Sequence, residues 1–136
     1  MSTLTIILAV TQGGEYLRET AEAALAAASA CGMNAALVIV SSEAEEANVR
    51  HQTADLPCML SHSMNSFALW NNSGAKAAPG EVLFFLQEGV IPTATGLQRL
   101  LETLALNEEI AAVGPFSNRT IFSWQYLNVE RMEAEG

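Results

Sequence analysis

Five short apolar runs recur along the chain, and they constrain its fold more than any other feature. Runs with so little polar alternation are typical of strands that are buried on both faces, and such strands belong to parallel sheets. Helical patterns and turn or cap residues separate them. The runs are Leu4 to Val10, Ala35 to Val40, Cys58 to Leu60, Val82 to Leu86 and Ile110 to Val113. The sequence therefore predicts an α/β domain in which right-handed helical crossovers connect a mostly parallel sheet.

Four helices are predicted between and after these runs. The first begins near Leu17 and ends before Gly32, because glycine favours the backbone conformation that terminates a helix. The second opens with Ser42 to Glu45, which form a capping-box pattern. The third runs from about Asn65 to Ala78, and the fourth has a leucine stripe from Leu97 to Leu104.

Length and charge limit the class of protein. The chain has 136 residues, half of them hydrophobic, which predicts one packed domain over residues 1–136 with a C-terminal tail at about residues 117–136. The formal net charge is −9, and the six lysine and arginine residues are scattered. Because nucleic-acid phosphates require clustered basic side chains, the composition argues against a nucleic-acid partner.

The sequence also bears on the compartment. The run from Leu4 to Val10 is much too short to span a bilayer, and no basic segment precedes it. Cys31 and Cys58 stand alone in a chain without a recognisable export signal, which indicates buried, reduced thiols. The prediction is a cytoplasmic protein without a membrane span.

Polar residues follow three of the predicted strands at the points where those strands end. In an open parallel sheet, ligands bind beyond the carboxyl ends of the strands that flank the reversal in strand order. With the order 3-2-1-4 that such topologies favour, the first and fourth strands flank that reversal. We therefore expect a crevice lined by the residues after these strands, with Ser41 of the second strand beside it. The lining residues are Thr11, Gln12 and Gly13 after the first strand, and Gln87, Glu88 and Gly89 after the fourth.

A longer stretch, from Asn72 to Gly89, combines a helix, a turn at Pro79-Gly80, a buried strand and a polar loop. Together with the opening strand and helix and with the segment Ile110 to Asn118, it resembles the nucleotide-sugar glycosyltransferases of family 2, which have the GT-A fold. The resemblance covers about Thr5 to Arg119 and consists of several motifs in the same order and spacing. It implies a Rossmann-like GT-A half-domain that binds a nucleotide sugar.

The resemblance also implies a metal site. In that family, an Asp-x-Asp pair after the fourth strand holds Mn²⁺ or Mg²⁺ against the sugar diphosphate. The two positions are Gln87 and Gly89 here, so Glu88 is the one candidate metal ligand in the loop. Nucleotide-sugar binding is carried over to a set of residues around the expected crevice, namely Thr11, Gln12, Ser41, Asn72, Lys76, Gln87 and Gly89.

The family's acceptor half, with its catalytic base, would follow Asn118 and is not seen in this sequence. We therefore assign no catalytic residue and expect the chain to be inactive alone. The alternative is a non-catalytic interaction or dimerisation module that retains the GT-A fold. Without the acceptor half, an apolar edge near Ile110 to Phe116 and Phe122 to Leu127 predicts a homo-oligomer.

Two features of the expected crevice have a plainer interpretation. Glu88 would be a solvated loop acid if it binds no metal. Gly13 and Gly14 precede a helix and could approach a phosphate, but they lack the G-x-G-x-x-G spacing of dinucleotide-binding proteins. A strand-to-helix turn accounts for them.

Overall fold

A computed structural model describes residues 3–10, 14–62, 71–72, 74–76 and 82–114. Its centre is an all-parallel sheet of four strands in the order β3-β2-β1-β4. The strands are β1 (Thr3–Ala9), β2 (Asn34–Ser41), β3 (Cys58–His62) and β4 (Val82–Gln87). The predicted α/β class and strand order are both confirmed. Four of the five predicted strands are present, and their bounds differ from the predicted ones by at most two residues at either end.

Strand β1 lies in the middle of the sheet and is buried on both faces. Leu4, Ile6, Ile7 and Leu8 are all completely inaccessible to solvent. Because successive side chains point to opposite faces of a strand, both faces of β1 must be covered by other elements. This explains why its sequence is a continuous apolar run rather than an alternating one.

On one face of the sheet lie residues of the third predicted helix, of which 71–72 and 74–76 are described and helical. Ala75 packs against the buried residues of β1 and β2 on this face. The backbone of Gly74 lies close to the sheet, since a Cβ atom there would lie 2.8 Å from Ile7 Cγ2 and 2.9 Å from Val40 Cγ1. A glycine is therefore required for this approach of helix to sheet.

Helix α1 (Leu17–Ala30) packs against β1 and β2. Its buried positions are mostly alanines, whose small side chains let the helix lie close to the strands, and Leu17 fills the first turn. Gly32, with φ of +70°, follows the helix end. The N–H of Met33 donates to the carbonyl of Ala28 at 3.0 Å, and that of Gly32 to Ser29 at 3.0 Å. This is the Schellman arrangement, so the predicted helix end is confirmed.

Helix α2 (Glu46–Thr53) begins later than predicted, because Glu43–Glu45 form a 3₁₀ turn first. The predicted capping box is wrong: within the described residues, the Ser42 side chain makes no capping hydrogen bond. The Ser42 carbonyl instead accepts the Glu45 N–H at 3.2 Å, which starts the tighter turn.

An ion pair joins α1 to the end of α2. Arg18 donates to both carboxylate oxygens of Asp55, at 2.7 and 2.8 Å, and to the carbonyl of Gln52 at 2.9 Å. The hydrogen bond from Arg18 lowers the pKa of Asp55 to about 2. Because Asp55 is exposed, solvent screening keeps its effect on stability small.

The structure consists of two compact units, Met1–Leu97 and Gln98–Gly136. The first contains the sheet, α1, α2 and the start of α3 (Ala94–Ala105). In the second, α3 ends and residues 106–114 form neither helix nor strand.

The predicted strand from Ile110 to Val113 is therefore wrong. Its two central alanines are exposed, and alanine is a poor strand former. The predicted tail, residues 117–136, lies outside the described residues.

Cys31 and Cys58 are both free cysteines, as predicted, although each is half-buried rather than buried. None of the helices in the described part of the chain is long and apolar enough to cross a membrane.

Two buried threonines give a test of the packing. Thr5 and Thr20 are both inaccessible to solvent, but the Thr5 hydroxyl has no hydrogen-bond partner among the described residues, whereas the Thr20 hydroxyl accepts the Gly89 N–H at 2.9 Å. We expect Thr5→Val to raise the free energy of unfolding by roughly 1 kcal/mol, since it removes an unsatisfied hydroxyl.

The matched control is Thr20→Val, which should lower the free energy of unfolding by about 1 to 2 kcal/mol because it leaves the Gly89 N–H without its acceptor. Urea unfolding followed by circular dichroism measures both changes. Equal effects of the two substitutions would contradict the assignment of the two hydroxyls.

Candidate functional site

The candidate site lies at the carboxyl ends of β1 and β4, where the strand order reverses. Ala9 and Gln87 are partners in the parallel register, and the Glu88 N–H donates to the Ala9 carbonyl at 3.0 Å, one residue beyond β4. The two strands therefore end together, and the loops after them leave the sheet side by side. This is the position at which open α/β sheets form their ligand crevice.

The turn between β1 and α1 presents backbone N–H groups at this edge. Gly14 has φ of +82°, a conformation that favours glycine, and the Gly14 carbonyl accepts the Leu17 N–H at 3.3 Å. Tyr16 occupies the N-cap position of α1, and within the described residues its side chain makes no capping hydrogen bond. The first N–H groups of a helix lack intrahelical partners and carry partial positive charge, so this turn needs an acceptor from elsewhere.

Glu88 supplies that acceptor. Its Oε1 accepts the Gly14 N–H at 3.1 Å and its Oε2 accepts the Tyr16 N–H at 3.3 Å. Only 2% of the residue is exposed. The carboxylate thus binds the N–H of the N-cap residue of α1 and that of Gly14 in the turn before it, from a position more than seventy residues further along the chain. Hydrogen bonds to an ionised carboxylate are stronger than neutral ones, which offsets the desolvation of the buried acid.

Further hydrogen bonds hold the two loops in place. The Gly89 N–H donates to the Thr20 hydroxyl of α1 at 2.9 Å. On its other side, the β1–α1 turn is fixed by α2, because Gln52 Nε2 donates to the Gly14 carbonyl at 2.6 Å. A Cβ atom on Gly14 would lie 2.8 Å from Asn48 Nδ2, so the turn is packed closely against α2.

The predicted site residues have different environments. Gln87 and Gly89 are exposed and flank the buried Glu88. Ser41 ends β2 and is only 1% exposed, which limits its access to a ligand. Asn72 and Lys76 are exposed. They belong to the same helical stretch as Gly74, which packs against the sheet. Thr11 and Gln12 lie outside the described residues.

The interpretation of Glu88 as a solvated loop acid is wrong, because the residue is buried and both of its carboxylate oxygens accept backbone N–H groups. As a metal ligand it stays a prediction, and the geometry is unfavourable: the positive ends of two N–H dipoles point at the oxygens that a cation would need. Among the described residues, no three His, Cys, Asp or Glu side chains come together as a metal site would require.

Sequence reasoning attributed Gly14 to a strand-to-helix turn without its bond to Glu88, and it missed Tyr16 and Thr20 as parts of this arrangement. One signal was available, because tyrosine is not a capping residue and its place before α1 implies that the cap comes from elsewhere in the chain. Which of the many glutamates supplies the cap could not be read from the sequence, since the bond joins side-chain oxygens to distant backbone atoms.

The conformation of Gly89 gives a test of the loop after β4. Its φ is +93°, which L side chains rarely adopt. Gly89→Asp should therefore lower the free energy of unfolding by about 1 to 2 kcal/mol, whereas Gln87→Asp at the neighbouring exposed position should change it by less than about 0.5 kcal/mol. Urea unfolding of both variants measures the difference. If the two are equally stable, the loop does not hold Gly89 in this conformation.

No protein-family model matches the chain, and no curated protein is significantly similar to it. The observed α/β architecture is thus the part of the GT-A expectation that the structure supports. The glycosyltransferase relationship stays a hypothesis that depends on the order and spacing of the sequence motifs.

Proposed function

We propose that the chain is a glycosyltransferase-like domain that binds a nucleotide sugar and has no transfer activity alone. The observation that supports this proposal is the pairing of β1 with β4 at the reversal of strand order. Gln87 ends β4 and Gly89 follows it, at the edge where open α/β sheets bind their ligands. These are the two positions that the family resemblance assigns to the Asp-x-Asp pair.

Binding through this edge is weak and independent of metal. Gln87 is exposed and offers neutral amide donors and acceptors, and each neutral hydrogen bond contributes only about 0.5 to 1.5 kcal/mol. Mn²⁺ or Mg²⁺ would find no aspartate at either position of the pair. The net charge of −9 also disfavours a diphosphate without a compensating cation.

Calorimetry with UDP, GDP and dTDP sugars tests the proposal. We expect saturable binding to one class of donor, with the same affinity in Mn²⁺ and in EDTA. Gln87→Ala should weaken binding by roughly 2- to 10-fold, which corresponds to the loss of one neutral hydrogen bond.

The matched control is Asn34→Ala, which removes an exposed amide at the amino end of β2, the opposite end of the sheet from the crevice. Its affinity should equal that of the unaltered chain. Absence of binding to every nucleotide sugar of the panel would contradict the proposed function. A higher affinity in Mn²⁺ than in EDTA would contradict the proposal that binding is independent of metal.

A specific observation favours a second candidate, a non-catalytic dimerisation module. β4 is an edge strand of the described sheet and has no charged residue from Val82 to Gln87. Four large apolar side chains on β4 and in the loop after it are 40 to 53% exposed, namely Leu83, Phe85, Val90 and Ile91. Edge strands of monomeric proteins usually carry charges that prevent pairing with another chain, so this edge fits a second copy of the chain.

Sedimentation equilibrium at micromolar concentration tests the dimer. We expect the chain to be dimeric and Phe85→Lys to be monomeric, because a charge in the paired edge must be desolvated. Met59→Lys is the control, since Met59 is 48% exposed on β3, the strand at the other edge. A monomeric unaltered chain, or equal dissociation by both lysines, would contradict this candidate.

A further inference from the structure

The two backbone N–H groups that bind the Glu88 carboxylate form a concavity at the start of α1. Two N–H groups separated by one residue, next to a glycine with positive φ, form a concavity that binds anions in many proteins. The Gly14 and Tyr16 N–H groups have this arrangement, with Gly14 at φ of +82°. The amino end of α1, a helix of 14 residues, adds partial positive charge.

An anion already occupies this concavity, and it belongs to the chain itself. Glu88 is 2% exposed, and each of its oxygens accepts one of the two N–H groups. An external oxyanion would have to displace the carboxylate and would be repelled by its charge. The backbone on either side is held by hydrogen bonds, from the Glu88 N–H to Ala9 and from the Gly89 N–H to Thr20.

We propose that Glu88 is an autoinhibitory internal anion, which keeps the β1–α1 turn closed to the phosphate groups of external ligands. The turn can bind a phosphate oxyanion, and the carboxylate takes the place of that ligand. The inference does not depend on the proposed nucleotide-sugar function, because it concerns inorganic oxyanions as much as nucleotides. It also gives a reason for weak diphosphate binding that is separate from the loss of the Asp-x-Asp pair.

Glu88→Ala tests the proposal by removing the carboxylate and leaving the two N–H groups in place. Thermal melts are recorded in pyrophosphate, in sulfate and in sodium chloride of equal ionic strength, so that general screening cancels. The variant should be stabilised saturably by pyrophosphate or sulfate, with a Tm increase of about 4 to 7 °C at roughly ten times the dissociation constant. The unaltered chain should show no saturable increase, only the gradual stabilisation that sulfate and phosphate anions give to any folded protein.

The matched control is Glu15→Ala, which removes one negative charge from an exposed side chain in the same turn. If the increase in Tm came only from the less negative net charge, Glu15→Ala would show the same increase. The site is identified by ¹⁵N-labelled protein, because the Gly14 and Tyr16 amide signals should shift with pyrophosphate in Glu88→Ala and remain unchanged in the unaltered chain.

Three results would overturn the proposal: a folded Glu88→Ala without a specific anion effect, an equal gain in Glu15→Ala, or shifts of the Gly14 and Tyr16 signals in the unaltered chain. If Glu88→Ala is unfolded in chloride, the measurement becomes recovery of its folded signal in pyrophosphate. Recovery supports the proposal, and failure to recover overturns it. Because the probes are inorganic, a negative result with nucleotide sugars leaves this test unaffected.

Discussion

The parallel hydrogen bonding of β1 to β2 on one side and β4 on the other is the interaction on which the rest of the structure depends. Between two parallel strands, the chain must cross back to the same end of the sheet before the next strand begins. Helix α1 and the helical residues around Gly74 lie in such crossovers. Parallel pairing also brings the carboxyl ends of three strands to one edge. The crevice, its loops and the bonds between them all follow from this central position of β1.

Glu88 connects the fold to the proposed function. In other open α/β sheets, the first turn after β1 is a place where a ligand's oxyanion meets a helix terminus. Here the same turn is satisfied by a side chain from the loop after β4, so the two loops of the crevice form one hydrogen-bonded unit. In the proposed function, the Glu88 carboxylate would stand where a ligand's oxyanion would otherwise contact this turn.

The sequence predicted the strands well where burial on both faces produced continuous apolar runs, as in β1 and the second half of β2. The run in β4 is also a strand, although Leu83 and Phe85 are exposed on one of its faces. The strand prediction failed at Ile110 to Val113, since a run of four small and medium apolar residues is equally compatible with an irregular segment. The strand order and the edge that holds the site followed from topology. The Glu88 contacts could not be predicted, because no local pattern records a bond between a side chain and backbone atoms on another element.

The close approach of Gly74 to the sheet limits which substitutions are tolerated at the contact between them. Its missing side chain leaves room for the branched side chains of Ile7 and Val40, so the distance between the helical residues and the sheet is set by three positions together. A Cβ atom at 74 would lie within 3.0 Å of both side chains, so a larger residue there fits only if both neighbours become smaller, because a close-packed interior has no spare volume. Substitutions at these three positions are therefore non-additive, and an alanine at 74 that is harmful alone becomes acceptable when the residues at both 7 and 40 are shortened.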